Sequence, residues 1–289
     1  MNQGKLNPQY ALKDNRIVHI SEVERGLQCG CKCPVCNGLL VARKGEKVVH
    51  HFAHYSQTNC EYSGESSLHY AAKALLSEAK RMFVPAVYLE FPGTGRKDEL
   101  IYESMEIEID HVEIEQHFGN IIPDVVVHSN GRTFFVEIYV THCVDEKKLN
   151  KLKEAHISTL EIDLGQCDCE IDPSKLTHFL LDDCKEKTWI YNAKAEQYFK
   201  ILLDIAERKP IIQRGFALHV DGCPCRRRMW YGKAYANYID DCTSCEYHMK
   251  TENILKCDEE DHIIGEDSYI YCAGVKRISG IHDIKRSKA

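Results

Sequence analysis

Residues 121–142 read IIPDVVVHSNGRTFFVEIYVTH, and this stretch decides the fold of the chain. Asn130-Gly131 stands between two runs of β-branched and aromatic residues, which is the pattern of a two-residue hairpin turn. In a hairpin closed by that turn, Asp124 lies directly opposite Glu137. Side chains alternate along a strand, so one face carries both carboxylates and the other face is wholly apolar. The apolar face, which suits a hydrophobic core, consists of Val125, Val127, Phe134, Val136, Ile138 and Val140.

The two facing carboxylates need a compensating charge. At a separation of about 5 Å and an effective dielectric constant near 20, they repel each other by roughly 3 kcal/mol. A shared proton, a cross-strand lysine or a divalent cation could offset this repulsion, and a bound cation does so most directly. Mg²⁺ binds one or two carboxylates and keeps waters for a phosphate substrate. The alternative is that both acids lie on a solvated face, because acidic residues also alternate in EIEIDHVEIEQ (106–116).

The segments around the hairpin predict an α/β core. Apolar residues at helical spacing predict a helix over 65–82, and VDEKKLNKLKEAHI predicts a charged helix over 144–157. The order of helix, antiparallel strands, helix and strand indicates one mixed sheet flanked by helices. A connecting helix is predicted over 193–209, ended by Pro210. Further strands are predicted at 84–91, 101–109, 111–116 and 158–164.

Three further motifs precede the hairpin in the order CPVC (33–36), HHFAH (50–54) and ESSLHYAAK (65–73). Together with Pro123-Asp124 and Glu137-Ile138-Tyr139, they resemble the competence protein CoiA-like nucleases, a family of the PD-(D/E)XK superfamily. The resemblance covers roughly residues 29–165. It implies a mixed-sheet, restriction-endonuclease-like core with a zinc segment before it. It also implies a bacterial enzyme that hydrolyses phosphodiester bonds of DNA, in competence, recombination or defence against foreign DNA.

The resemblance assigns roles to individual residues. Asp124, Glu137 and the Ile138 carbonyl would ligate one Mg²⁺ or Mn²⁺, and Glu65 would orient a metal-bound water or a second ion. Metal-assisted hydrolysis of this kind lowers the pKa of the attacking water and stabilises charge on the phosphate. Glu65 begins a series with a four-residue spacing along one border of the first helix, which continues with His69 and Lys73.

Tyr139 stands where the family pattern has a lysine. A tyrosine can hydrogen-bond a water, but it brings no positive charge. Lys73, or as a second choice Lys148, could supply the missing cation. Alternatively, the chain is a catalytically weak or inactive nucleic-acid-binding adaptor that keeps the nuclease scaffold. A third reading, a zinc-stabilised protein-interaction hub, fits the acidic net charge.

Two cysteine-rich segments predict structural zinc. The pairs Cys33-x-x-Cys36 and His51-x-x-His54 together offer four ligands for a closed, tetrahedral site. The spare candidates there are Cys29, Cys31, His50 and Cys60. Near the carboxyl end, a zinc ribbon is predicted to use Cys223, Cys242, Cys245 and Cys272, with Cys225 or Cys257 as substitutes for Cys223.

A basic and aromatic segment lies between the two halves of this second cysteine set. Cations that bind phosphates, interleaved with rings that stack on bases, are typical of contacts with single-stranded nucleic acid. The alternative is a surface that only stabilises a small zinc module. The candidate residues are Arg226, Arg227, Arg228, Trp230, Tyr231 and Lys233.

Composition limits the class of protein. The 289 residues suggest four segments: an N-terminal zinc segment (1–60), a core (61–190), a connecting helix (191–213) and a C-terminal zinc ribbon (214–289). The 15 cysteines cluster with histidines, which in a reducing compartment indicates metal rather than disulfides. The net charge of −7 disfavours a uniformly basic nucleic-acid binder but allows local basic patches. No signal-peptide pattern and no apolar run of about 18 residues occurs, so we expect a cytoplasmic protein without a membrane partner.

Overall fold

The structure is a computed structural model that describes residues 7–56, 59–62, 64–141, 143–166, 173–258 and 262–287. Its helices are α1 (Gly64–Glu78), α2 (Glu146–Glu154), α3 (Pro173–Thr177), α4 (Ala193–Ile205) and α5 (Ile281–Ser287). Its strands are β1 (Tyr10–Lys13), β2 (Arg16–His19), β3 (Leu40–Arg43), β4 (His51–His54), β5 (Arg81–Val84), β6 (Val87–Leu89), β7 (Glu99–Tyr102), β8 (Met105–Glu108), β9 (His111–Ile114), β10 (Val125–Ser129), β11 (Arg132–Tyr139), β12 (Thr159–Asp163), β13 (Lys187–Tyr191), β14 (Glu207–Pro210), β15 (Ile212–Arg214), β16 (Ala217–Asp221), β17 (Arg228–Trp230), β18 (Lys233–Asn237), β19 (His248–Cys257) and β20 (Ile263–Cys272).

The chain divides into two compact units. The first contains Met1–Pro85 and Ser104–Asn192, and the second contains Ala86–Glu103 and Ala193–Ala289. The predicted core of 61–190 therefore needs a correction, because residues 86–103 belong to the second unit. The reason is packing: Leu89 of β6 is buried in an apolar cluster with residues from the carboxyl-terminal part of the chain.

The first unit is built on a five-stranded sheet with the strand order β13-β12-β11-β10-β9. Strands β10 and β11 are antiparallel, with Val125 opposite Val136, whereas β11 and β12 are parallel. The turn between β10 and β11 has Asn130 at φ 50° and Gly131 at φ 71°, the left-handed conformation that this turn type requires. The predicted mixed sheet and the predicted hairpin register are confirmed.

Helices α1 and α2 pack on opposite faces of this sheet. Leu68 and Leu76 of α1 join the core formed by the apolar face of the hairpin, which includes Val125. Leu152 of α2 packs with Val126 and other residues of the opposite face. Helix α2 also makes the crossover that two parallel strands require. Helix α1 begins one residue before the predicted range of 65–82, and α2 lies within the predicted range of 144–157.

The amino-terminal part of the first unit is small and rich in sulfur. Strands β1 and β2 form one antiparallel pair, and β3 and β4 form another. The apolar cluster between them buries Cys29 and Cys31 beside Leu40 and Phe52. These two cysteines, spare candidates for metal ligation, therefore act as small apolar residues of the interior.

The second unit contains two further sheets, with the strand orders β14-β20-β19 and β15-β16-β18-β17. The predicted helix over 193–209 is too long, because α4 ends at Ile205 and Glu207–Pro210 forms β14. Strand β14 lies at an edge of its sheet, where a terminal proline is tolerated. Among the helices of the described ranges, none combines the length and apolar character that a membrane crossing requires.

Candidate active site and metal centres

Asp124 sits at the start of the β10 strand and is held by three groups. Its Oδ2 accepts a hydrogen bond from the Ile138 amide at 2.9 Å and contacts His69 Nε2 at 3.1 Å. Its Oδ1 lies 2.9 Å from Lys73 Nζ. Burial alone would raise the pKa of Asp124, but the hydrogen bond and charge of His69, with Lys73, hold it well below its usual range. Asp124 is therefore an anion at neutral pH.

Glu137 on β11 is only 2% exposed and shows the opposite behaviour. Its Oε2 accepts from Lys148 Nζ at 2.5 Å, while its Oε1 is buried and has no hydrogen-bond partner among the described residues. Burial and the negative charge of Asp124 raise the pKa of Glu137 to about 7, and Lys148 offsets this only in part. A buried carboxylate oxygen without a donor is destabilising, and a cation beside it would remove that cost.

Lys73 and Lys148 bring positive charge to Asp124 and Glu137, the acidic pair, from the two helices that cover the sheet. Lys73 lies on α1, is 6% exposed, and also contacts Glu115 Oε1 at 2.7 Å. Lys148 lies on α2, where its own amide donates to the N-cap Asp145 at 2.7 Å. Both lysines that sequence reasoning offered as replacements for the missing one therefore reach the two carboxylates.

Tyr139 lies at the end of β11 beside Asp163, its register partner on the parallel strand β12. Burial raises the pKa of Tyr139, and a hydrogen bond with Asp163 raises it further by a smaller amount. The phenol therefore stays protonated at neutral pH and can donate a hydrogen bond, but it adds no charge to the site.

Two further acidic residues, Glu65 and Glu115, belong to the same region of the chain. Glu65 lies in the first turn of α1, but its side chain falls outside the described part of the structure. Glu115 was missed by sequence reasoning. It reaches Lys73 from a left-handed backbone conformation, φ 51°, directly after β9, and its amide donates to the Asp124 carbonyl at 3.2 Å. The only signal for Glu115 in the sequence is its membership in an acidic alternation, which does not separate it from its neighbours.

A cysteine–histidine cluster forms in the amino-terminal part. The ligand atoms of Cys33, Cys36, His54 and Cys60 all lie within 4.8 Å of one another. Cys33 Sγ is 3.7 Å from Cys60 Sγ, and Cys36 Sγ is 3.2 Å from His54 Nε2. Tetrahedral zinc with Zn–S bonds of about 2.3 Å sets its sulfur ligands about 3.8 Å apart. The cluster therefore fits a structural zinc ion with three cysteines and one histidine.

The predicted ligand His51 needs a correction. His51 and His54 are three residues apart on the strand β4, so their side chains leave opposite faces and cannot meet at one ion. His51 Nδ1 instead contacts the Val49 carbonyl at 2.8 Å. Cys60, which the sequence offered only as a spare ligand, occupies the fourth corner.

The turn from Cys33 to Gly38 prepares the cluster for metal. The Val35 amide lies 3.4 Å from Cys33 Sγ, and a Cβ at Gly38 would lie 3.3 Å from Cys36 Sγ. A hydrogen bond from the Gly38 amide, and to a smaller extent one with His54, lowers the pKa of Cys36 to about 7. Burial raises the pKa of Cys33 to about 12. Zinc requires thiolates, so zinc binding at this cluster releases protons.

The second cysteine set lines one small cavity of about 20 Å³ in the second unit. Burial raises the pKa of Cys242 to about 12. Within the described ranges, this set is not among the groups whose ligand atoms all lie within 4.8 Å of one another. Cys257 is exposed and does not line the cavity. The zinc ribbon remains a prediction, for which the cavity offers Cys223, Cys225, Cys242, Cys245, His248 and Cys272.

The candidate nucleic-acid segment forms the hairpin β17–β18. Arg228 is engaged by ion pairs with Asp240 at 2.9 Å and Asp241 at 2.6 Å, so its charge is already balanced within the protein. Trp230 and Tyr231 project at the tip, 53% and 91% exposed, with ring centroids 5.6 Å apart. The remaining cations of the segment are exposed; they are Arg226, Arg227 and Lys233.

The geometry defines a class of protein: a cysteine–histidine segment that fits zinc, within a mixed-sheet α/β unit in which Asp124 and Glu137 are each paired with a lysine. Residues 17–63 match the family model of the competence protein CoiA N-terminal domain, and they contain all four members of the zinc-like cluster. This match supports a CoiA-like protein, as the motifs predict, and suggests a competence-related role. No curated protein and no solved structure matches the chain.

Proposed function

We propose that the protein is a divalent-metal-dependent nuclease that hydrolyses phosphodiester bonds of DNA, in competence, recombination or defence against foreign DNA. The observation that carries the proposal is the carboxylate pair, in which the buried Glu137 Oε1 has no hydrogen-bond partner among the described residues and Asp124 is anionic. Oxygen donors of this kind suit Mg²⁺ or Mn²⁺. The supporting topology is a helix, an antiparallel hairpin, a crossover helix and a parallel strand, as expected for a PD-(D/E)XK core.

Asp124 and Glu137 would hold the ion, with the Ile138 carbonyl as a further ligand. When bound, the ion would act as a Lewis acid on the phosphate and lower the pKa of a coordinated water. Asp124 is kept in position by the Ile138 amide and by His69. Lys73 and Lys148 supply the positive charge that Tyr139 does not, and either ammonium could stabilise the developing negative charge on the phosphate.

DNA is the proposed partner, with single-stranded DNA favoured by the second unit. The exposed rings of Trp230 and Tyr231 offer stacking surfaces for bases, and exposed cations flank them. Arg228 has no part in this proposal because it is paired with Asp240 and Asp241. Zinc in the Cys3His cluster would be structural, since four protein ligands leave no open position.

The test is cleavage of linear, circular, single-stranded and double-stranded DNA by the purified chain with Mg²⁺, Mn²⁺ or EDTA. Asp124→Asn removes one ligand charge at nearly constant volume, so we expect a loss of cleavage of at least about 100-fold. The matched control is Glu154→Gln, an exposed acid at the end of α2, which should cleave like the wild type. Equal cleavage by Asp124→Asn and the wild type, or cleavage unaffected by EDTA, would refute the proposal.

One observation favours the second candidate, a nucleic-acid-binding adaptor without catalysis. Lys73 and Lys148 already pair with both carboxylates, so the site balances part of its charge without an ion. This candidate predicts DNA binding that is independent of Mg²⁺ and unchanged in Asp124→Asn. Fluorescence anisotropy with labelled DNA, run beside the cleavage assay, separates the two functions.

A further inference from the structure

A second group of metal-ligand side chains lies on the same sheet as the acidic pair, at the turn end of the hairpin. His111 and Glu113 are on the edge strand β9, and His128 is on the neighbouring strand β10. In the register of these strands, His111 is directly opposite His128. One ligand atom from each of the three residues lies within 4.8 Å of the other two.

The contacts within this group converge on one carboxylate oxygen. Glu113 Oε1 lies 3.1 Å from His128 Nε2 and 3.6 Å from His111 Nε2. Two imidazole nitrogens and one carboxylate form a ligand set that zinc and related transition metals use in proteins. Three protein ligands also leave a coordination position for water, in contrast to the closed Cys3His cluster.

A fourth residue orients the central histidine. Thr133 Oγ1 lies 3.0 Å from His128 Nδ1, across the ladder between β10 and β11. A partner on one ring nitrogen directs the other nitrogen to a metal, an arrangement that recurs around ligating histidines. The His128 side chain is 23% exposed, so its ring is held on two sides by the sheet.

The two imidazole rings are stacked, with centroids 3.9 Å apart and planes 6° apart. One ion cannot lie in both ring planes in that arrangement, so ligation requires one ring to turn. His111 is the ring that can turn, because its side chain is 60% exposed at the sheet edge. Metal binding would therefore replace the stacking of the two rings.

We propose that His111, Glu113 and His128 form a zinc site that is separate from both the Cys3His cluster and the acidic pair. His128 is four residues from Asp124, about 13 Å along an extended strand. Two-metal centres hold their ions about 3.5–4 Å apart, so this site cannot supply a second ion to the acidic pair. A zinc ion bound by His111, Glu113 and His128 would instead join the edge strand β9 to β10. The proposal of this site does not depend on the proposed nuclease activity.

The test uses the full-length protein, dialysed so that weakly held metal is lost, and then titrated with Zn²⁺. We expect one equivalent of zinc fewer in each of His111→Gln, Glu113→Gln and His128→Gln than in the wild type. His178→Gln is the matched control, because His178 is an exposed histidine paired with a carboxylate, Asp182, outside any cluster. The imidazole proton resonances of His111 and His128 should both shift on zinc addition.

Thr133 gives a graded test of the same site. Thr133→Val removes the oxygen that orients His128 and should weaken zinc binding about 10-fold, whereas Thr133→Ser should retain it. Unchanged stoichiometry in Glu113→Gln and His128→Gln, or histidine resonances unmoved by saturating zinc, would overturn the proposal and leave only an ion pair. Because no readout involves DNA, this outcome is independent of the proposed nuclease.

Discussion

The Cys3His cluster and the acidic pair of Asp124 and Glu137 lie in the same unit, but their side chains are held by different kinds of contact. The four zinc-like ligands come from a turn, a strand end and a loop, and the contacts among their donor atoms are mutual. Of the two carboxylates, Asp124 directly precedes β10 and Glu137 lies on the central strand β11, and each is paired with a lysine. In the first region the donor atoms contact one another, whereas in the second each carboxylate contacts a lysine of the protein.

The two regions differ in what a bound metal would contribute, which is folding at the Cys3His cluster and chemistry at the acidic pair. A site whose ligands lie on irregular chain gains its structure from the metal, because binding free energy there is folding free energy. A site on a rigid sheet can instead hold a buried acceptor ready for an ion, such as Glu137 Oε1, which has no hydrogen-bond partner within the described ranges.

The largest effect is expected on removing a zinc ligand. Cys60→Ser should abolish zinc binding at the cluster and unfold the segment around it, because structural zinc contributes on the order of 10 kcal/mol to such small modules. His51→Gln is the matched control and should keep the zinc, since His51 faces away from the cluster. Metal content and limited proteolysis of the purified variants measure both effects. Zinc loss in His51→Gln with retention in Cys60→Ser would refute the ligand set.

The next largest effect is expected at Lys73. Lys73→Met leaves Asp124, whose side chain is 16% exposed, without its closest cation. Removal of one partner of a largely buried ion pair lowers the free energy of unfolding by about 3–5 kcal/mol. Added Mg²⁺ should restore part of this loss if the acidic pair binds it. Lys80→Met, an exposed lysine just after α1, is the control and should change stability little. Urea unfolding with and without Mg²⁺ tests this, and no rescue by Mg²⁺ would count against an ion at the pair.

A smaller effect is expected from the titration of Glu137. Its pKa is raised from 4.5 to about 7, so the folded state binds more protons than the unfolded state between these values. The stabilisation is complete below pH 4.5 and is lost as the pH rises through 7, in total roughly 3 kcal/mol. Glu137→Gln cannot titrate, so its stability should not decline over this range.

The measurement follows the fluorescence of Trp189, whose ring packs against Phe134 of the same sheet, with 5.7 Å between centroids. The chain contains 2 tryptophans, so a Trp230→Phe background isolates this signal. Denaturant unfolding is compared from about pH 5 to about pH 8, in steps of about one pH unit, in zinc-loaded protein without Mg²⁺. Parallel pH profiles for the variant and its parent would show that Glu137 does not titrate there.

The smallest effect is expected at Glu115. Its side chain is 54% exposed, so its ion pair with Lys73 is mostly solvated. Glu115→Gln should change the free energy of unfolding by less than about 1 kcal/mol, as exposed pairs do. Urea unfolding beside Lys73→Met separates the two partners of Lys73. A loss as large as that of Lys73→Met would mean that Glu115, and not Asp124, is the main counter-charge.

Much of the sheet could be predicted from its residues, whereas the ligands that come from irregular chain could not. Asn130-Gly131 and the alternation around it determine the register that brings Asp124 opposite Glu137, because a slip of one residue would expose the apolar face. The helix positions of Lys73 and Lys148 made both reachable as cations. Cys60 was predicted only as a spare ligand, because it lies on irregular chain that no periodic pattern encodes. Glu115 was not predicted as a site residue, since its position depends on its left-handed backbone conformation.

The assignment of segments to units was also beyond sequence reasoning. Residues 86–103 alternate like strands of the core sheet, and nothing local distinguishes them from β8 or β9. Their assignment to the second unit depends on contacts such as those of Leu89 and Phe91 with Met249 and Ile281, which are far apart along the chain. In contrast, strand alternation could have excluded His51, because two residues of a strand that are three apart never share a face.

The N-cap of α2 has a consequence for how the site responds to its ligands. Lys148 donates its amide to Asp145 at the helix start and its ammonium to Glu137, so a single residue belongs to both the cap and the acidic pair. Fraying of that first turn would withdraw the ammonium and leave Glu137 open to another cation. Since such linkage is reciprocal, an ion that displaces Lys148 loosens the helix start to the same extent in free energy. Lys148 thus couples the stability of the α2 start to the occupancy of the acidic pair.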